Sequence, residues 1–223
     1  MTGSMDALNN LTSVDEDDVQ RQIREYFEEM DLDETEIEKR IGLAIDLEKD
    51  FRNLFILMLT AEIIGESLES RSGDFADYAY HDYTDAMIDN GYSNDEYYSG
   101  LGYVEQYAKS RCKEIVDTAI LHKADSYYFS LKHSIAIGED EANAVGNYQR
   151  EQMAIAQGYK YKTWVTMRDK RVRHSHELVD GKTISIFKAF TVGNGQMMFP
   201  CDRSLGISMK EIANCRCVCE YSR

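Results

Sequence analysis

Cysteine and histidine side chains that could act together are concentrated near the C-terminal end of the sequence. Four of the five cysteines lie in residues 201–223. Thiolate sulfur and imidazole nitrogen suit tetrahedral Zn²⁺, and a small module with little core would gain stability from a metal. The residues that could form such a site are His176, Cys201, Cys215 and Cys217. Zinc binding is therefore one hypothesis for this cluster, although the sequence does not require a cofactor.

Two other states of the cysteines fit the same spacing. The Cys-x-x-Cys pair typical of zinc knuckles is absent. A disulfide between Cys201 and either Cys215 or Cys217 is the second hypothesis. Buried free thiols are the third, since unpaired cysteine is among the most frequently buried residue types. A strand would point Cys215, Cys217 and Cys219 to one side, whereas Cys112 stands alone in a predicted helix, where we expect a core position.

The sequence carries no complete catalytic motif. No His-Glu-x-x-His occurs, and Glu177 directly follows His176, so that the two side chains would face opposite sides of a strand. The glycine-rich stretch 193–195 indicates a turn, because no Lys-Ser/Thr and no helix follow it as in a phosphate-binding loop. We therefore expect a protein that is not an enzyme. A metal-dependent hydrolase or toxin-like enzyme built on the His and Cys cluster is the alternative.

Charged residues near His176 have a simpler expected role. We expect His176 to form a hydrogen bond that fixes a loop between strands, with Asp169 or Asp202 as the acceptor. Arg171 and Arg173 are expected to pair with the same carboxylates. Their alternative role is weak contact with the phosphates of packaged DNA, because the C-terminal part is mildly basic. A zinc-stabilised DNA-binding module is therefore a third functional hypothesis.

The elements that position these side chains are expected to be long helices. The only proline is Pro200, so that no proline interrupts a helix in the chain before it. A capping-box spacing at Ser13 and Glu16 predicts a helix that ends near Met30. Residues 1–12 are polar and expected to be frayed.

Three further helical segments are expected before residue 160. Apolar residues at helical spacing predict a long helix over 33–68, whereas residues 71–100 combine loop and helix signals. A third helix is predicted over 101–137, ending at Gly138. A fourth is predicted from Glu139, where acidic residues favour a helix N-terminus, to Gly158.

After residue 158 the pattern changes to short alternating segments rich in β-forming residues, with glycine turns between them. The strands are predicted over residues 159–166, 183–187, 197–199 and 216–221. The sequence therefore predicts an α+β protein. A long helical N-terminal region, residues 1–138, precedes a C-terminal domain, residues 139–223, which consists of a helix and a small β-rich module with clustered cysteines.

Charge is unevenly distributed along the chain, whose net charge is −15. Residues 1–100 carry a net charge of −19, whereas residues 163–223 carry +4. The acidic half is most simply a solvated helical surface. The alternative is a dipolar molecule whose acidic half avoids nucleic acid and docks on protein. The longest apolar run, around residues 55–59, is too short to span a bilayer, so that no membrane contact is expected.

A set of short motifs in a fixed order extends through the C-terminal domain. Its elements are a strand with a tryptophan, Asp-x-Arg-Val-Arg, a histidine, an Asp-Gly turn, Phe-Pro-x-Asp and Asn-Cys-Arg-Cys. The residues that carry it are Trp164, Asp169, Arg171, Val172, Arg173, His176, Asp180, Gly181, Phe199, Pro200, Asp202, Asn214, Cys215, Arg216 and Cys217. In order and spacing they resemble the signature of the phage Mu protein F-like family of head morphogenesis proteins, over about residues 139–219.

The resemblance implies a bacteriophage minor head protein that is present in few copies. Such a protein associates with portal, scaffold or major capsid proteins during assembly in the host cytoplasm. It then belongs to the virion, in the capsid interior or near the portal, and in some phages it is ejected with the DNA. The helical region 1–138 would supply partner contacts, and the motif residues would have structural roles.

Overall fold

The computed structural model describes residues 2–92 and 101–223. The predicted α+β fold is confirmed, with long helices first and a small antiparallel sheet beside clustered cysteines near the C-terminus. The helices are α1 (Thr2–Thr12), α2 (Glu16–Glu28), α3 (Glu34–Ile63), α4 (Ser72–Asp89), α5 (Leu101–Leu121), α6 (Leu131–Ala156), α7 (His174–Glu177) and α8 (Met209–Ile212). The strands are β1 (Tyr161–Val165), β2 (Thr183–Ser185), β3 (Phe190–Val192), β4 (Gly195–Met197) and β5 (Val218–Ser222).

The described residues form two compact units. The first comprises residues 2–23, 42–92 and 101–138, and the second comprises residues 24–41 and 139–223. The chain passes from the first unit to the second between residues 138 and 139, which is where the sequence-based division was drawn. Residues 24–41, which the sequence-based division put in the N-terminal region, group with the second unit instead.

The first unit has an apolar core formed by its helices, and α4 packs against α5. Its buried residues include Phe55, Tyr83 and Cys112, so that Cys112 occupies the core position expected for it. A buried carboxylate, Glu48, accepts hydrogen bonds from the Arg52 guanidinium at 3.0 Å and the Ser134 hydroxyl at 2.8 Å. These two hydrogen bonds offset the cost of burying the Glu48 carboxylate in an apolar core.

The N-terminal residues differ from the expectation of a frayed end. They form α1, in which Leu11 is fully buried. The capping residue of α2 is Asp15, whose carboxylate accepts hydrogen bonds from the backbone amides of Asp17 and Asp18, so that the predicted cap at Ser13 is wrong. The mixed signals after residue 70 resolve into α4, and residues 93–100 of that segment lie outside the described residues.

The predicted end of a helix at Gly138 is also wrong, because Gly138 lies inside α6. A Cβ atom at this position would lie 2.5 Å from the carbonyl oxygen of Ala44, so that glycine permits close packing against α3. The helix predicted over 101–137 breaks after Leu121 instead. There Asp125 caps a 3₁₀ turn by accepting a hydrogen bond from the Tyr127 amide at 3.0 Å.

The second unit is built on a three-stranded antiparallel sheet in the order β2-β1-β5. Lys162 and Trp164 of β1 are fully buried, and Trp164 pairs with Cys219 of β5. Strands β3 and β4 form a separate hairpin that turns at Gly193, whose φ of 55° suits glycine. Strand β3 was missed in the sequence-based prediction. The residues of the buried cluster, here called the C-terminal core, are Ala144, Trp164, Val179, Phe190, Val192, Met197, Cys201, Ile212, Cys215, Cys217 and Cys219.

A buried arginine occupies the space beside Gly146 of α6. Arg40 is fully buried, and its guanidinium donates to the side chains of Glu36, Asn143 and Asn147. A Cβ atom at residue 146 would overlap this guanidinium, which its three partners hold in place.

The substitution Gly146→Ala is therefore expected to lower the free energy of unfolding by about 1–3 kcal/mol, as overpacking usually does. Urea unfolding followed by circular dichroism measures the loss. The control is Gly73→Ala, because the added methyl group meets nothing within 4 Å in α4 and alanine favours helix. Equal stability of the two variants would contradict the rigid placement of Arg40.

Candidate metal centre

Three of the four predicted ligands lie together in the second unit. The Nδ1 atom of His176 is 3.3 Å from the sulfur of Cys217 and 3.6 Å from the sulfur of Cys215. These three atoms all lie within 4.8 Å of one another, and all three residues are buried. Such a cluster of one imidazole and two thiols could hold a metal ion.

Local backbone geometry brings the three ligands to one point. His176 lies in α7, which begins after the extended residue Arg173, rather than in a loop between strands. Cys215 and Cys217 lie between α8 and β5, and Asn214 turns the chain before them with a φ of 55°. Asparagine adopts this left-handed conformation more readily than most residues do.

The expected alignment of three cysteines on one strand is wrong. Strand β5 begins at Val218, so that Cys215 and Cys217 precede it, and Cys219 is not a member of the group that could hold a metal. Cys201 is not a member either, but its sulfur lies 3.6 Å from the carbonyl oxygen of Cys215. All five cysteines are free and buried.

Electrostatics single out one thiol of the cluster. Hydrogen bonds from the thiols of Cys201 and Cys217, and then from His176, hold the pKa of Cys215 well below its usual range. The same hydrogen bonds to Cys215, together with burial, raise the pKa values of Cys201 and Cys217. Among these thiols, Cys215 is therefore the one whose thiolate form is favoured by its neighbours, and thiolate is the form that binds metals.

The second nitrogen of His176 faces a carboxylate. Its Nε2 atom lies 3.3 Å from Oε2 of Glu211 and forms no hydrogen bond within the described part of the chain. The hydroxyl of Ser175 donates to the same Glu211 oxygen at 2.6 Å. Histidines that bind a metal through one nitrogen usually direct the other at such a carboxylate. Glu211 carried no signal in the sequence that could have identified it.

Buried polar residues of α6 hold the loops that contain the cysteines. The side-chain amide of Asn143 donates to the carbonyl of Cys215 at 2.6 Å and to the sulfur of Cys201 at 3.4 Å. One turn later, the amide of Asn147 donates to the carbonyls of Pro200 at 3.0 Å and Cys217 at 3.2 Å. These asparagines were missed in the sequence analysis. The available signal was two asparagines four residues apart, which places them on the same face of the predicted helix.

The remaining motif residues bind one another or the backbone. Asp169 accepts a hydrogen bond from Arg216 at 2.6 Å, and Arg216 also donates to Glu29, which directly follows α2, at 2.8 Å. Arg171 contacts Glu29 and lies 3.6 Å from Asp169, so that its predicted pairing with Asp169 is confirmed. The guanidinium of Arg173 instead donates to a backbone carbonyl, that of residue 213.

The two predicted acceptors for His176 have other partners. Asp169 is bound by the arginines, and Asp202 accepts hydrogen bonds from the backbone amides of Met198 and Ser204, each at 2.8 Å. The prediction that His176 bonds to either carboxylate is therefore wrong. It was based on residue type alone, whereas the imidazole is directed at two sulfurs that lie about forty residues further along the chain.

The Asp180–Gly181 turn closes the end of β1. The Asp180 carboxylate accepts from the backbone amide of Thr166 and from Arg168, each at 2.8 Å. Gly181 has a φ of 72° and donates from its amide to the carbonyl of Trp164 at 2.8 Å. These two motif residues therefore fix the turn that leads back toward β2.

A cavity of about 10 Å³ adjoins all three cluster residues. It is lined by Met167, Arg171, Val172, Arg173, His176, Asn214, Cys215, Arg216 and Cys217. This volume suits one water molecule or one ion. The site can therefore hold an ion, and it is too small for an organic substrate.

Comparison with protein-family models, curated proteins and solved structures gave no match for this chain. None of the helices in the described part of the chain has the length and apolar composition that a membrane span requires.

Proposed function

We propose that this chain is a bacteriophage minor head protein of the phage Mu protein F-like type, acting in head morphogenesis. The observation that carries the proposal is that motif residues far apart in sequence contact one another. Asp169 of the first arginine-rich motif binds Arg216 of the Asn-Cys-Arg-Cys motif, and His176 contacts Cys217. Residues that form a family signature for structural reasons are expected to contact one another in the fold. The contacts between these motifs therefore support the resemblance.

An assembly role is favoured over catalysis by the way these side chains are used. The carboxylates of Asp169, Asp180 and Asp202 bind arginines or backbone amides of the same unit. The His and Cys cluster is buried beside a cavity that admits no organic molecule. The partners are portal, scaffold or major capsid proteins, and the acidic residues 1–100 supply a surface suited to protein contact.

The same proposal includes a metal. Zn²⁺ bound by Nδ1 of His176 and the sulfurs of Cys215 and Cys217 would join α7 to the segment before β5. The fit rests on the donor set, the water-sized cavity and the Glu211 carboxylate behind the imidazole. Such a metal contributes stability to a small module rather than a reaction step.

The assembly role is tested with the phage or prophage whose genome encodes the chain. Particles are purified from cells that carry a tagged copy, and the tagged chain is also mixed with the portal and major capsid proteins of that genome. We expect a few copies in each particle and direct binding to the portal. Absence from particles together with no binding to either protein would overturn the assembly role.

The metal is tested separately by elemental analysis of protein purified without chelator. We expect about one equivalent of zinc in the natural sequence and in the control Cys219→Ala, and loss of zinc in Cys215→Ala. Protein that contains no zinc and takes up none on addition would overturn the metal proposal while leaving the assembly role open.

A further inference from the structure

We propose that Cys201 is the fourth metal ligand, so that the site is a closed set of three thiolates and one imidazole. The inference rests on the zinc proposed for His176, Cys215 and Cys217. Its first support is position, because the Cys201 thiol donates a hydrogen bond to the Cys215 carbonyl oxygen, 3.6 Å away, and so lies next to a ligand residue. A fully buried thiol beside a ligand sulfur is suited to complete a tetrahedral site.

The backbone at Cys201 is the second support. Its φ of 69° lies in the left-handed region, which costs free energy for a residue with a Cβ atom. Glycine would meet this requirement without strain. A cysteine at this position therefore costs backbone strain that a glycine would avoid. A specific role of its thiol as a ligand would explain why cysteine stands there. The amide of Asn147 fixes the preceding turn by donating to the carbonyl of Pro200 at 3.0 Å.

Asn143 provides the third support, because its amide donates both to the sulfur of Cys201 and to the carbonyl of Cys215. One buried side chain thus holds the two residues in a fixed relation and directs an N–H group at a sulfur. Hydrogen-bond donors around ligand sulfurs orient them and tune the metal. The guanidinium of Arg40 holds Asn143 in turn.

The fourth ligand decides what the metal can do. A zinc ion with three protein ligands keeps an open position for water or substrate, whereas four protein ligands make a structural site. With Cys201 bound, no position is left for a hydrolytic water. The inference therefore separates the assembly role from the alternative of a metal-dependent hydrolase.

The test replaces zinc with Co²⁺ in the full chain and measures its visible and near-ultraviolet absorption. The thiolate-to-cobalt band is expected to fall by about one third in Cys201→Ala, because one of three thiolates is lost. Zinc affinity is expected to fall by at least about 100-fold, since even residues behind the ligands contribute 10–100-fold. The matched control is Cys219→Ala, which removes another buried thiol of the C-terminal core.

Cys201→Gly is the second variant and controls for misfolding, because glycine adopts the same backbone turn and lacks the sulfur. The same loss of intensity in both Cys201 variants, with circular dichroism unchanged, would support the fourth ligand. Unchanged intensity and affinity in both would overturn it and leave a three-ligand metal. Failure of the natural sequence to bind cobalt or zinc would overturn the metal and the fourth ligand together, whereas particle association tests the assembly role independently.

Discussion

The substitution Glu151→Ala is expected to lower the free energy of unfolding by about 3–5 kcal/mol, because it leaves a charge buried without its partner. The ammonium of Lys162 lies 2.5 Å from the Glu151 carboxylate, and the two side chains are 0% and 3% exposed. The ammonium also donates to the carbonyl of Met198 at 2.6 Å and lies 5.7 Å from the ring of Phe190. These contacts cannot replace a carboxylate in a medium of low polarity.

Urea unfolding followed by the fluorescence of Trp164 measures this effect, since Trp164 is the single tryptophan and lies buried in the same unit. The first control is Glu38→Ala, which breaks an exposed ion pair with Arg24 and should cost much less.

The second control is the double variant Lys162→Met with Glu151→Leu, which removes both charges and should recover most of the loss. If Glu151→Ala were no more harmful than Glu38→Ala, the ion pair would not be desolvated as its burial indicates.

Local patterns in the sequence predicted the helices α2 and α3 and the strands β1, β2 and β5, but they missed α1 and β3. The alternation of residues 159–166 identified β1, in which Lys162 and Trp164 on one face are buried and Tyr161 on the other face is exposed. A glycine cannot be assigned a role by such patterns. Gly138 has the residue type of a helix end, yet it permits two helices to approach, and only the position of Ala44 in space distinguishes the two cases.

The metal cluster could be predicted as a set of residue types but not as a geometry. His176, Cys215 and Cys217 were chosen because thiolate and imidazole suit zinc, and the structure brings those three together. Glu29 and Glu211 could not be found, because their importance depends on contacts with Arg216 and His176. Neither carboxylate has a spacing that marks it among the 40 acidic residues of the chain.

Addition of zinc to chelator-treated protein is expected to raise the free energy of unfolding by about 4 kcal/mol when free zinc exceeds its dissociation constant by about 1,000-fold. The reason is that the ligands converge only in the folded chain, so that zinc binds the native state and only weakly the unfolded one. Unfolding of the protein with and without zinc, followed by Trp164 fluorescence, measures the shift. Trp164 packs edge-on against His176 with ring centroids 5.5 Å apart.

The location of the effect separates a specific zinc site from loose binding by surface thiols or histidines. Hydrogen exchange should slow most in α7 and in residues 214–217, the segments that the metal would join. His176→Ala should abolish the response. The control His174→Ala should retain it, because His174 is exposed and two residues away in the same short helix. Stabilisation that survives His176→Ala would place the zinc elsewhere, and stabilisation lost in both variants would implicate the fold of α7 rather than a ligand.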